Sequence, residues 1–403
     1  MASLTSTKAE KNLPRYFGPA FRNLKGIRAG AMEVSLPDGR VFTAQGAEPG
    51  HVARIDVANV DLFARVVREG TNGFSDAYLE GWWSTPDLQT LMDVIHDNHK
   101  EISQAYSGGA VVKWYEMFRH WMNSNSKRQA RKNISYHYDL GNDFYQEWLD
   151  STMTYSSALF KSGQEDLERA QTQKYAAICD TIGVQEGDHL LEIGCGWGGF
   201  AEYAAAERGA NLTCLTISQQ QHDFAVDRMK RKGLSNQVEI VMRDYRDDRG
   251  QYDGIASIEM FEAVGEKYWP VYFSTVRDRL RPGAKATLQV ITVSDEFFPK
   301  YRKSVDFIQK HIFPGGMLPS PSVLKDHIQK AGLEFHSSIE FGQSYSVTLR
   351  SWFEMFNEKW SKIEPMGFDD RFKRMWDYYL TSCAAGFEFG STDVTQVTLQ
   401  KLR

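Results

Sequence analysis

Residues 188–209 read DHLLEIGCGWGGFAEYAAAERG, and their order decides the fold. A short, mostly apolar strand runs into Gly194, Gly196, Gly198 and Gly199, and a segment of helical composition follows at once. Without side chains at the turn, the backbone and the helix N-terminus can approach a ligand closely. Working outward, NLTCLTIS is a second strand with QQQHDFAVDRMKRKG as its helix, and VEIVMRD, YDGIASIE and KATLQVITV are further strands. This alternation predicts an α/β fold, a doubly wound Rossmann-like sheet whose ligand lies outside the carboxyl ends of its strands.

A glycine turn of this kind is shared by proteins that bind NAD, FAD and S-adenosylmethionine (SAM), and it can also serve packing alone. Two details favour SAM. Glu192 precedes the first glycine by two residues, where a carboxylate suits the cationic methionine end of SAM and repels a dinucleotide pyrophosphate. The second detail is an absence: where a ribose-binding acid is expected after the second strand, the sequence reads LTISQQQ, which leaves Gln221 to share that task.

Bulk properties describe an ordinary globular protein of 403 residues, with 42% hydrophobic and 25% charged residues and a formal net charge of -5, enough chain for two domains. That charge gives no reason to expect a nucleic-acid partner. Residues 1–20 contain no apolar signal core, and no run is long enough to span a bilayer, so a cytoplasmic location is expected. Cys179, Cys195, Cys214 and Cys383 are widely spaced and read as reduced structural thiols, and no metal-ligand spacing appears. Residues 30–105 predict a smaller N-terminal α+β domain: MEVSLPDGRVFTAQG alternates about a Pro-Asp-Gly turn, and ANVDLFARVVREG has helical spacing. With no catalytic cluster there, docking or oligomerisation is the expected role of residues 1–105. In 106–132, Trp114, Met117, Phe118, Trp121 and Met122 form one helical face beside basic Lys127, Arg128, Arg131 and Lys132, which suits a helix packed on its own protein or one lying on a membrane.

The stretch IEMFEAVG at 258–265 sets two acids in an apolar run where a strand gives way to a helix. Glu262 is either a helix N-terminal acid or a residue facing a reaction centre. Residues 133–403 resemble the cyclopropane fatty acid synthase family of SAM-dependent lipid C-methyltransferases, which includes the mycolic acid cyclopropane synthases. The stretches that carry the resemblance include NISYHYDLGNDFYQEWLD, MTYSSALF, LLEIGCGWGGFAEYAA, LTISQQQ, MRDYRD, SIEMFEAVG, KHIFPGGMLPS and SYSVTLRSWFEMF, in family order, and residues 30–105 resemble the family's N-terminal domain. The resemblance implies SAM contacts at Tyr155, Ser156, Glu192, Gly194, Cys195, Gly196, Gly198, Thr216, Ile217, Gln221, Tyr245 and Arg246. It also implies a bicarbonate ion beside the reacting double bond, with Glu262, Ile291 and Tyr345 matching three of its ligands. Two positions depart from the pattern: Ser157 replaces a cysteine and Gln289 replaces a histidine. Because the motif aligns Glu262, Glu259 is the weaker catalytic candidate.

The chemistry this implies is attack of an acyl double bond on the methyl group of SAM, followed by proton removal managed at Glu262. Gln289 cannot shuttle a proton as histidine does, so a methyl-branched or methylene product stands beside the cyclopropane. Two aromatic stripes, Leu349, Trp352, Phe353, Phe356 and Trp360, then Phe372, Met375, Trp376, Tyr379, Leu380 and Cys383, read as core that also lines a lipid channel. Tyr136 and His137 suit a cofactor lid. The expected partners are an unsaturated acyl substrate and the inner face of a phospholipid membrane, bound peripherally, and a homodimer is in keeping with the family. Two other readings stay open: a SAM methyltransferase of a soluble small molecule, and a catalytically silent lipid-binding protein.

Overall fold

The computed structural model describes residues 5–6, 12–105, 117, 125–126, 129 and 140–402. Tyr136, His137 and all but Met117 of the apolar face predicted in 114–122 lie outside the described residues. The chain forms two compact units, the first from Met1–Met122, Lys300–Ile312 and Gly367–Ser391, the second from Asn123–Pro299, Phe313–Met366 and Thr392–Arg403. Among the described residues no helix is long and apolar enough to cross a membrane.

In the first unit, β1 (Thr5–Ser6), β2 (Ala29–Ser35), β3 (Val41–Gln45), β4 (Glu48–Val57) and β5 (Trp83–Ser84) form a sheet in the order β1-β3-β2-β4-β5. The Pro-Asp-Gly turn joins β2 to β3 in an antiparallel pair that sets Val34 opposite Phe42, and Gly39 supplies the left-handed residue at φ 83°. The predicted helix is present at Leu62–Glu69 and buries Leu62, Phe63 and Val66. Helix Asp370–Glu388 belongs to this unit and buries Trp376, Tyr379 and Leu380, so the second aromatic stripe serves the core of the first unit.

The second unit holds the sheet predicted from the glycine turn. β6 (His189–Ile193), β7 (Asn211–Thr216), β8 (Val238–Met242), β9 (Tyr252–Ile258), β10 (Leu280–Val293), β11 (Leu333–Glu340) and β12 (Thr392–Lys401) lie in the order β11-β12-β10-β9-β6-β7-β8. Five neighbouring strands pair parallel, as alternating strands and helices require; β12 enters between β10 and β11 antiparallel to both, so β11 points the same way as those five. The central strands are buried on both faces, with Leu190, Ile255 and Ala256 fully inaccessible, which is why they read as continuous apolar runs. Helix Leu167–Ile182 and helix Gly199–Arg208 pack Ile178, Cys179, Phe200 and Ala204 into the core around β6.

Gly194, Gly196 and Gly198 adopt φ of 83°, 52° and 81°, so the turn needs residues tolerant of the left-handed region. At Gly194 a Cβ would also lie 2.7 Å from Met260 Cγ. The turn is therefore fixed both by its backbone and by what packs over it. Leu190→Ala should lower the unfolding free energy by about 2–5 kcal/mol, measured by denaturant titration, because a central strand has little room to collapse around the void.

Candidate active site

The carboxyl ends of β6, β7 and β9, the carboxyl-terminal part of β10, the loop through Tyr155–Ser157 and the first turn of helix Gly342–Ile363 supply one constellation within the second unit. At its centre stands Glu259, the first residue beyond β9. It is not glycine, yet it sits at φ 48°, a region that long side chains rarely adopt. Oε1 accepts from the Ser157 amide at 2.8 Å and from Gln289 Nε2 at 2.8 Å; Oε2 accepts from the Tyr345 hydroxyl at 2.7 Å. Its own amide donates to the Gln289 carbonyl at 2.9 Å, which extends the β9–β10 pairing.

Three of the positions carried over as bicarbonate ligands, Ser157, Gln289 and Tyr345, thus converge on a side chain of the protein. Glu259, ranked below Glu262 from the sequence, is the acid they hold. Ser157 contributes its amide, while its hydroxyl donates to the Ala158 carbonyl at 2.9 Å. Gln289 is fully buried and fixed from behind, its Oε1 accepting from Gln396 Nε2 at 3.1 Å. Sequence reasoning placed Glu259 correctly at a strand end, but the left-handed backbone that aims it inward has no signature in residue types.

Glu262 faces the site without capping a helix. Its Oε1 accepts from the Ile291 amide at 2.6 Å, and its buried Oε2 has no partner among the described residues. Burial, reinforced by the charge of Glu259, pushes its pKa up to about 8. Burial also raises Glu259, but the Lys174 charge, the Tyr345 hydroxyl, Gln289 and the Ser157 amide pull the other way. The net effect on Glu259 is still upward; of the pair, Glu259, held by three donors, is the better stabilised as a carboxylate, and Glu262, with one donor and a like charge beside it, is the one pushed toward the neutral acid.

The turn after β6 forms the second half of the site. Glu192 is 2% exposed, its Oε2 has no partner among the described residues, and burial pushes its pKa up to about 7. A buried carboxylate oxygen left unpaired beside left-handed glycines is a complement for a ligand cation, and the ammonium and sulfonium groups of SAM supply one. Around it lie Cys195, buried in the turn, and Thr216, whose hydroxyl donates to Gln221 Oε1 at 3.0 Å and so fixes that amide at the end of β7. Ile217 follows in the same loop. Arg246 makes a two-pronged pair with Asp244, Nε to Oδ1 at 2.8 Å and NH2 to Oδ2 at 2.7 Å, and lies 5.5 Å over the Tyr245 ring. Tyr155 stands against Trp352 with ring centroids 5.1 Å apart, and Trp352 meets Tyr345 edge-on at 6.2 Å. The first aromatic stripe therefore contributes Trp352 to the wall that carries the site's tyrosines.

One further member escaped the sequence reading. Lys174 is fully buried and donates to Ser156 Oγ at 2.6 Å. A readable signal existed, since Lys174 occupies a position on the buried face marked by Ala170, Ile178 and Ile182.

A cation-complementing glycine turn on a sheet of this topology, with an acid poised beyond the next strand, defines a SAM-dependent methyltransferase. A family model described as mycolic acid cyclopropane synthetase matches residues 125–397. The chain belongs to the cyclopropane fatty acid synthase family. It is 37% identical to the tuberculostearic acid methyltransferase UfaA1 of Mycobacterium tuberculosis over 89% of this chain and 85% of that protein. It is 33% identical to the cyclopropane-fatty-acyl-phospholipid synthase of Escherichia coli K12, over 92% of this chain and 96% of that one. Among solved structures it resembles the mycolic acid cyclopropane synthase CmaA1 complexed with SAH and CTAB, at 28% identity and a TM-score of 0.63, covering 67% of this chain and 98% of that one.

The raised pKa of Glu262 has a thermodynamic consequence. Between the ordinary carboxylate value of 4.5 and about 8, the unfolded chain has lost this proton while the folded chain keeps it, so stability declines as pH rises through that window. Glu262→Gln should remove its share of that decline and leave the share of Glu192, seen as a flatter dependence of the denaturation midpoint on pH that is clearest between about 7 and 8.

Proposed function

We propose that this protein methylates the double bond of an unsaturated acyl chain of a membrane phospholipid, and that Glu259 is the base that completes the reaction. The observation that carries the reading is the convergence of Ser157, Gln289 and Tyr345 on the Glu259 carboxylate. Those positions, which the family resemblance assigns to a bicarbonate ion, here fix an anion that the chain itself provides.

SAM, when bound, supplies an electrophilic methyl group. The π electrons of the acyl double bond form the new C–C bond, the methyl–sulfur pair stays with sulfur, and the neighbouring chain carbon becomes cationic. The π faces of Tyr155, Trp352 and Tyr345 lend that charge electron density, and the Glu259 carboxylate lowers its energy further. A hydride moves from the methylated carbon to the cationic one. Glu259 then takes a proton from the added methyl, and the released C–H pair becomes an exocyclic double bond. The product is a methylene-branched chain. Glu262, neutral and anchored to the Ile291 amide, shapes the other wall without competing for the proton.

Support for a lipid acceptor comes from the family and from relatives named as fatty acid methyltransferases, including one of Pseudomonas putida at 35% identity over 69% of this chain. Presentation of the chain from the inner face of a membrane, with the first unit as the docking element, is part of the same proposal.

Purified protein given methyl-labelled SAM and vesicles of a monounsaturated phospholipid should yield an acyl chain heavier by one methylene unit, with vinylidene signals in its proton spectrum. Cyclopropane signals from the wild type, or product formed only from soluble acceptors, would sink the proposal. Removing bicarbonate from the buffer should leave the rate unchanged. Glu259→Gln should lower kcat about 10²–10⁴-fold. Glu259→Gly, which suits the left-handed backbone and empties the anion position, should regain rate when bicarbonate is added back.

A further inference from the structure

Helix Leu167–Ile182 presents Ala170, Ile178 and Ile182 to the core, and the residue that completes this stripe is a lysine. Lys174 has no accessible surface. Its Nζ donates to Ser156 Oγ at 2.6 Å, while Gln171, on the preceding turn, donates to the Ser156 carbonyl at 3.0 Å. The Lys174 carbonyl accepts from Gln396 Nε2 at 3.4 Å; the same amide donates to Gln289 Oε1 at 3.1 Å, and Gln289 donates to Glu259. No carboxylate lies within ion-pair distance of Nζ among the described residues. An ammonium group buried without an ion pair is expensive, and a methionine would fill the same space without that penalty.

The charges around it account for its presence. Three acids act on Lys174, with Glu259 the strongest, then Asp150 and Glu192; Tyr175 is its neighbour on the helix, with Nζ 4.8 Å from the ring centre. Asp150 accepts through Oδ2 from the Thr152 amide at 3.0 Å and the Thr152 hydroxyl at 2.6 Å, while its buried Oδ1 has no partner among the described residues. Seen from Glu259, the facing groups are Ser157, Gln289, Tyr345, Glu262 and Lys174, and Lys174 is the cation among them. Of the influences that favour the ionised form of Glu259, the Lys174 charge is the largest.

We propose that Lys174 is a positioning residue for methyl transfer: seated behind Ser156, it holds Glu259 ionised as a proton acceptor and commits the Ser156 hydroxyl to donate toward the ligand. The inference rests on Glu259 being the base. Because the lysine is the donor in its contact with Ser156, the hydroxyl proton is free to point the other way, toward the position where the resemblance sets SAM. Burial pushes the Lys174 pKa down to about 7 against the opposing pull of Glu259, Asp150 and Glu192, so the side chain carries its charge below neutrality.

The test is the pH dependence of kcat/KM for unsaturated phospholipid vesicles at saturating SAM. In Lys174→Met, loss of the counter-charge should move the acid limb toward neutrality by about 1–3 pH units. Lys174→Arg should keep the limb near that of the wild type. Lys174→Gln is the second neutral variant, and a cooperative thermal unfolding transition verifies that each variant is folded. A uniform fall in rate with an unmoved limb is the mark of a merely structural lysine and overturns the inference. Glu259→Gln, run alongside, separates the two claims: a near-normal rate in that variant rejects Glu259 as the base, whereas a lost rate with an unmoved limb in Lys174→Met and Lys174→Gln rejects only the role given to Lys174.

Discussion

A glutamate held in the left-handed region of the backbone is the constraint on which the site depends. A non-glycine residue at φ 48° costs on the order of 1–3 kcal/mol, and the chain tolerates it because three donors from three distant segments grip the carboxylate. Hydrogen bonds to a charged acceptor contribute about 1.5–3 kcal/mol each, so their sum offsets the strain. Each donor is itself fixed: Gln289 by its place in β10 and by Gln396, the Ser157 amide by a loop whose next amide donates to Thr348 Oγ1 at 3.1 Å, and Tyr345 by its helix. Distortion and satisfaction form one arrangement, and neither would persist without the other.

That arrangement gives the two family departures a common physical reason. A histidine that loses its proton at one ring nitrogen can share it with a mobile anion, whereas a carboxylate fixed in the backbone needs only a permanent donor, which a glutamine amide supplies without titrating. At position 157 the group in use is the amide, present in serine and cysteine alike, so the exchange of side chain leaves the contact with Glu259 untouched. The electrostatics follow the same logic. Glu192, Glu259 and Glu262 are acids in one half of one domain, yet each has a different surrounding: an orphaned oxygen awaiting a cation, a carboxylate with three donors, and a neutral acid beside a like charge. Position, and not residue type, assigns their roles.

Much of this was legible in the order of residues. The alternation of apolar runs with amphipathic segments fixed an α/β sheet, because strand and helix bury their faces with different periods. The glycines of 194–199 announced a close backbone approach, and Glu192 named the charge of the ligand. Family motifs brought Tyr155, Ser157, Gln289, Ile291 and Tyr345 to notice together. Lys174 left a trace, as the one charged residue on the stripe of Ala170, Ile178 and Ile182; hidden from the sequence were the antiparallel entry of β12 between β10 and β11, the placing of helix Asp370–Glu388 in the first unit, and the contact of Lys174 with Ser156. Each of these depends on contacts between residues far apart in the chain, and local pattern carries no record of them.

Glu259 and Glu262 show the division most sharply. The sequence by itself determined that two acids stand where β9 ends, since an apolar run interrupted twice can be read from residue types alone. Only the tertiary structure decided which of them is gripped by three donors and which is left with one, because that choice is made by a backbone angle and by donors arriving from residues 157, 289 and 345, and the cost of burying a charge is settled by such neighbours in space.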